Sequence, residues 1–153
     1  MGHSGSEAVQ YGPARPFQLE AIRQLLDEGG LPHADITASH LDLFLGAMLD
    51  GILVGVIGLE IFGRVGLARS LAVSRSQRGH GIASSLLAEV ETLARRRGVE
   101  KLYGLTETIA EILRRRGYRH IDRNEAPPAI RGTSEFQTLC PSSAVLMAKD
   151  LHR

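Results

Sequence analysis

Ser74–Leu87 reads SRSQRGHGIASSLL, with an apolar, strand-like run ending just before it and a helical pattern of apolar residues starting inside it. Gly79 and Gly81 flank His80 at the junction, directly after Arg78. A strand that turns into a helix this way presents several unpaired backbone N–H groups at the positive end of the helix dipole, and glycines remove side chains that would hold an anion off. Arg78 adds a delocalised cation, and small Ala83 and Ser84 let the helix start come close to a bound group. The run Arg78-Gly79-His80-Gly81-Ile82-Ala83 therefore reads as a phosphate cradle, although plain strand-to-helix turns draw on the same residue types. It is no Walker loop, which needs Gly-Lys-Ser/Thr. Nor is it a dinucleotide fingerprint, since it follows an antiparallel meander and has no third glycine.

The flanking sequence supplies the layers. Upstream, LFLGAMLDGILVGVIGLEIFGRVGLARSLAV (Leu43–Val73) carries a two-residue hairpin signal at Asp50-Gly51 and a second turn at Phe62-Gly63-Arg64, which predicts a three-stranded antiparallel meander. Before it, Glu7 to Tyr11 reads as a short strand. Pro16 opens a helix on Phe17, Ile22, Leu25 and Leu26 that Gly29-Gly30 stops, and a short helix spans Thr37 to Leu41. Downstream, Ile82, Leu86, Leu87, Val90, Leu93 and Ala94 keep helical spacing from Gly81 to Arg97, with Gly98 as terminator. KLYGLT (Lys101 to Thr106) is a strand, Glu107 to Arg116 a helix closed by Gly117, and Val145 to Leu151 a final strand. Strands followed by helix, strand, helix and strand make a mixed α/β layered domain.

A chain of 153 residues fits one domain, 1–153, with residues 1–6 as a loose N-terminus that formally fits a myristoylation pattern but lacks basic neighbours. A hydrophobic share of 43%, a charged share of 23% and a formal charge of +1 argue against a nucleic-acid partner. The apolar runs are too short for a bilayer span and no secretory leader opens the chain, so a cytoplasmic protein without a membrane partner is expected. Cys140 is the one cysteine, which excludes an internal disulfide and a multi-cysteine metal site and reads as a structural residue. His33, His40, His120 and His152 show no metal-ligand spacing, so no metal is expected. The triplets Arg95-Arg96-Arg97 and Arg114-Arg115-Arg116 each precede a helix-ending glycine, where positive charge complements the helix dipole on a solvated face.

The longer stretch SLAVSRSQRGHGIASSLL (Ser70–Leu87) resembles the GCN5-related N-acetyltransferases, whose signature Gln/Arg-x-x-Gly-x-Gly/Ala falls here on Arg78, Gly81 and Ala83. The element order is similar to that superfamily over nearly the whole chain. APPAIRGTSEFQTLCPSSAVLMAKDL (Ala126–Leu151) resembles the small acetyltransferases associated with arsenic resistance and those similar to bacterial N-acetylglutamate synthase. The resemblance implies a mainly antiparallel, twisted sheet flanked by helices, with fourth and fifth strands that splay apart. It implies acetyl-CoA as cosubstrate, its pyrophosphate on the backbone of Arg78, Gly79, His80, Gly81, Ile82 and Ala83 with Ser84 close by. It also implies a pantetheine arm lying strand-like beside Leu71, Ala72 and Val73, and a backbone N–H near Leu71 as donor to the developing oxyanion.

Acetyl transfer needs a neutral amine, an aligned thioester and a proton for the departing thiolate. Glu60, at a strand end near the second turn, is the candidate base, acting through water, and a solvated strand-end glutamate is the alternative. Many relatives carry a tyrosine before the last Gly-aromatic pair to protonate the thiolate. With Gly117-Tyr118 as that pair, Leu113 stands there instead, leaving Tyr103 or water, while Tyr103 also reads as core and Tyr118 as structural. Arg69, beside Ser70 in an apolar run, is expensive to bury without an anion, and Arg131 could begin a short helix over the site. Together they would grip an acidic acceptor, although each also reads as a surface arginine. The expected activity is N-acetylation of the α-amine of a small acidic, glutamate-like amino acid or antimetabolite. The alternatives are a peptide or other small amine as acceptor, and a catalytically silent acyl-CoA sensor. Exchange or edge pairing of the final strand would give a homodimer.

Overall fold

The computed structural model describes residues 8–139 and 144–151, side chains 138 and 139 excepted, so Cys140, His152 and residues 1–6 lie outside the described residues. Seven strands form one sheet: β1 (Gln10–Pro13), β2 (Phe44–Leu49), β3 (Ile52–Phe62), β4 (Val65–Val73), β5 (Lys101–Thr106), β6 (Arg119–Ile121) and β7 (Val145–Asp150). Their order is β1-β2-β3-β4-β5-β7-β6, and the helices are α1 (Leu19–Glu28), α2 (Ile82–Arg96), α3 (Ala110–Arg115) and α4 (Pro128–Arg131). β1 with β2, β2 with β3, β5 with β7 and β6 with β7 are antiparallel, whereas β4 and β5 run parallel. That parallel ladder covers only Val65↔Lys101 to Ala68↔Gly104, although β4 continues to Val73 and β5 to Thr106.

The chain forms two compact units, one from residues up to 58 together with 70–90, the other from 59–69 and 91 onward. In the first, Asp50 (φ 51°) and Gly51 (φ 79°) are both left-handed, the backbone that a two-residue primed hairpin turn requires. Ile22, Leu25 and Leu26 of α1 pack with Leu41, Phe44 and Val56 into its core. A Cβ at Gly55 would lie 3.1 Å from Ile82 and Leu86, so this glycine lets the start of α2 sit close against β3. In the second, Leu67, Tyr103, Ile130, Leu146 and Ala148 form the core, and Phe62 and Phe136 pack against it.

Several boundaries differ from the sequence reading, each for a local reason. The first strand sits at Gln10–Pro13, where its pairing with β2 lies. Pro16–Gln18 form a 3₁₀ turn and α1 proper begins at Leu19, so Phe17 is 84% exposed instead of joining the core. Thr37–Leu41 is not an α-helix but leads a 3₁₀ segment, Ala38–Leu43, opened by the His40 ring accepting the Thr37 N–H at 3.1 Å. The helix expected from Glu107 starts at Ala110, because Thr106 Oγ1 accepts the N–H groups of Thr108 (3.1 Å) and Ile109 (2.9 Å) and holds those residues in a turn. β6 and a π-helical turn at Glu135–Leu139 have no counterpart in the sequence reading.

A buried carboxylate fastens the second unit. Glu91 on α2 accepts Arg116 Nη2 at 2.8 Å, Tyr118 OH at 2.9 Å and Lys149 Nζ at 3.0 Å, joining α2, the end of α3 and β7. The second arginine triplet is therefore split in use: Arg114 and Arg115 pair with Glu111 at the surface, whereas Arg116 reaches inward. Burial alone would raise the Glu91 carboxyl, but the bonds from Arg116, Lys149 and Tyr118 outweigh it and hold the group below its ordinary 4.5. Burial and the neighbouring Glu91 charge push the Tyr118 hydroxyl far above its ordinary range.

Candidate active site

The cradle residues stand in the first unit as one exposed loop and helix start. Gly79 (φ 83°) and Gly81 (φ 81°) are both left-handed, and a Cβ on either would meet nothing within 4 Å. Glycine is needed here for backbone conformation, since a β-carbon strains this region by about 1–2 kcal/mol. Left-handed residues in such turns are the general means by which successive amides form an anion-binding nest. The first α-helical bond of α2 runs from the Ser85 N–H to the Gly81 carbonyl at 3.0 Å, so the N–H groups of Gly81, Ile82, Ala83 and Ser84 have no intrahelical acceptor. Arg78 Nε donates to the Val73 carbonyl at 3.0 Å, which ties the loop to the end of β4 while the side chain stays exposed. The His80 ring folds back onto the Gln77 carbonyl at 3.1 Å, so Nδ1 carries the proton in that contact. Ile82 is buried and contributes backbone alone, while Ala83 and Ser84 are half-buried. Anionic oxygens fit this donor set, with α2 behind it supplying the favourable dipole end.

Leu71 and Val73 are half-buried on β4 and Ala72 is in the core of the first unit. Ser70, just before them, has φ 59° inside a strand and is 8% exposed. A non-glycine residue in that region is strained by about 1–3 kcal/mol and breaks the two-residue alternation of side chains.

Arg69 belongs to the second unit and is buried, its side chain 0% exposed, which overturns the surface-arginine alternative. The anion that burial demands comes from the chain itself. Arg69 Nη1 donates to Glu60 Oε2 at 2.9 Å, and Nη2 lies 3.3 Å from Glu135 Oε2. Glu60 is one-fifth exposed through its side chain, and its other oxygen accepts no hydrogen bond among the described residues. A carboxylate with one oxygen pinned and one open can receive a proton in a fixed direction. Glu135 was not found by sequence reasoning, although the charge of a buried arginine was a signal that some carboxylate had to be near.

Arg131 ends α4 instead of beginning a helix, and it is exposed. Leu113 is buried, as are Tyr103 within the core of the second unit and Tyr118, whose proton is held by Glu91. His33 pairs with Asp27 at 2.9 Å. A hollow of about 540 Å³ in the first unit, beside Leu25, Asp50, Val54, Ser74 and Gln77, is lined by none of the cradle residues Arg78–Ser84. Among the described residues no helix is long and apolar enough to cross a membrane.

Residues 15–118 match the model of the acetyltransferase (GNAT) family. The chain is 29% identical over 142 residues to an amino-acid acetyltransferase of Neisseria meningitidis, covering 90% of this chain and 32% of that protein. It thus spans about a third of the length of the curated relatives it matches. Among solved structures it resembles N-acetylglutamate synthase from Neisseria gonorrhoeae complexed with coenzyme A and N-acetyl-glutamate, with a TM-score of 0.83, 26% identity, and coverage of 95% of this chain and 36% of that one. Rv2747 from Mycobacterium tuberculosis, in complex with CoA and NLQ, shares the fold at a TM-score of 0.81 with 22% identity, over 94% of this chain and 99% of that one.

Proposed function

The chain belongs to the acetyltransferase (GNAT) family, and from that membership we propose an N-acetyltransferase that moves acetyl from acetyl-CoA to the α-amine of a small, glutamate-like acidic amino acid. Phosphinate- or arsinate-bearing analogues fall in the same acceptor class, the arsinates being the ones that would tie the reaction to arsenic resistance. The observation that carries the reading is the row of amides from Gly79 to Ser84, two of them on left-handed glycines, at the start of a fifteen-residue helix. The amino-acid acceptor is supported by the Neisseria relatives.

Acetyl-CoA supplies a thioester whose carbonyl carbon the neutral amine attacks, forming the amide and releasing the thiolate. The residues Arg78 to Ser84 hold the pyrophosphate, and the edge of β4 at Leu71, Ala72 and Val73 aligns the pantetheine arm by strand-like hydrogen bonds. Alignment of this kind lowers a bimolecular barrier by as much as about 7–11 kcal/mol. The Leu71 N–H donates to the carbonyl oxygen as negative charge develops there, a contribution on the order of 3 kcal/mol for one such donor. Glu60 takes the amine proton through water, which supplies the neutral amine that the attack requires. With Leu113 apolar and Tyr118 committed to Glu91, water returns the proton to the thiolate. Arg69 is engaged by Glu60 and Glu135, so exposed Arg131 is the cation that meets the acceptor carboxylate, and Ser70 shapes the backbone between Arg69 and Leu71. The acceptor and acetyl-CoA are the small-molecule partners.

Thiol release from acetyl-CoA with a panel of amino acids tests the assignment. Turnover is expected on glutamate-like acids, and Arg131→Ala should raise their KM about tenfold or more, the loss of one charge-assisted bond, without changing the KM for acetyl-CoA. Tight coenzyme A binding with no turnover on any amine would refute the enzymatic reading.

A further inference from the structure

Glu135 is 6% exposed, opens the π-helical turn Glu135–Leu139, and shares the guanidinium of Arg69 with Glu60. We propose that Glu135 is a positioning residue that, by holding one end of Arg69, fixes the carboxylate of Glu60 that takes the amine proton. The inference rests on the reading of Glu60 as base given above. An arginine head is a rigid planar fork on a flexible stem, and a partner at one nitrogen alone leaves that plane free to swing. Here Nη1 and Nη2 are both engaged, at 2.9 and 3.3 Å, on carboxylates from two different elements. Glu60 is consequently held through Oε2 by a guanidinium that a second carboxylate also engages.

The mount of Glu135 is built for this. Thr133 Oγ1 donates to the Ile130 carbonyl at 2.7 Å and accepts the Phe136 N–H at 3.2 Å, while the Gln137 N–H reaches the Thr133 carbonyl at 3.0 Å. Phe136 packs on the core with Arg123 4.8 Å above its ring. The turn that carries Glu135 is thereby locked on both sides of the residue, and π-type turns of this kind recur at functional sites. The charge count fits as well: two carboxylates around one guanidinium leave a net negative charge, and Glu60 is the more exposed of the two, the side from which a proton arrives.

A double-mutant cycle on steady-state kinetics, with acetyl-CoA and the best acidic acceptor, tests the proposal in wild type, Glu60→Gln, Glu135→Gln and the double variant. Glu135→Gln should lower kcat about ten- to hundredfold, the effect of a misplaced reacting group, with the KM for acetyl-CoA unchanged, and should add nothing where residue 60 is already Gln. Glu135→Asp, which keeps the charge, should fall between wild type and Glu135→Gln; if Glu135→Gln does not fold, Glu135→Asp replaces it in the cycle with the same expected dependence on Glu60. An unchanged kcat, or an equal loss in both backgrounds, would overturn the proposal and leave the base reading standing. A wild-type rate for Glu60→Gln would overturn both.

Discussion

Replacing Glu91 by Gln keeps the shape of a buried side chain and removes its charge, leaving Arg116, Lys149 and Tyr118 aimed at a neutral amide. Glu91 is 1% exposed through its side chain and its two cationic partners 26% and 19%, so water cannot fully replace the lost carboxylate. Breaking a buried pair by removing one partner costs about 3–5 kcal/mol. A domain of this size is stable by about 5–15 kcal/mol in total, so the loss is a large fraction of the whole. At about 2–4 °C per kcal/mol, the melting temperature should fall by on the order of 10 °C at pH 7. The pH dependence supplies the second check. The Glu91 carboxyl titrates below its ordinary 4.5 in the folded protein, so its contribution is complete above that value and is lost as pH falls through the folded pKa. Urea unfolding of wild type and variant between pH 7 and pH 3 should show a gap that closes only at the acid end. A variant within 1 kcal/mol of wild type at pH 7, or a gap that persists undiminished below the titration, would refute the reasoning.

Two further outcomes follow from the same geometry. Gly81→Val should weaken coenzyme A binding at least tenfold, because the cradle depends on a left-handed backbone at φ 81° that a β-branched residue resists, while the fold survives because a Cβ there meets no neighbour; calorimetric titration beside a thermal melt measures both. Tyr118→Phe should lose about 1–2 kcal/mol of stability with the hydrogen bond to Glu91, yet leave kcat unchanged since that proton takes no part in the transfer.

The parts of the molecule that the sequence disclosed are those where local chemistry has one solution. Asp50-Gly51 gives the primed turn, KLYGLT spans β5 to the residue, and the apolar spacing of α2 together with the glycines before it gives the glycine turn that leads into that helix. What stayed hidden depends on groups distant in sequence. β4 is buried along much of both faces, so alternation does not reveal which way Arg69 points, and Ser70 breaks that alternation with a left-handed backbone that no glycine or asparagine announces. Glu60 and Glu135 lie 9 and 66 residues from Arg69, and only folding shows that one guanidinium serves both. The same holds for Glu91: a single glutamate on an amphipathic helix carries no mark that Arg116, Tyr118 and Lys149 converge on it. Small strands such as β6, three residues long, depend on pairing with β7 more than on their own propensity.

The central claim is that main-chain amides at the start of α2 bind a diphosphate. Titrating ¹⁵N-labelled protein with coenzyme A should move the amide resonances of Gly79, His80, Gly81, Ile82, Ala83 and Ser84 first and most, in a saturable manner. Saturable shifts confined to other residues, or no shift at millimolar coenzyme A, would contradict it.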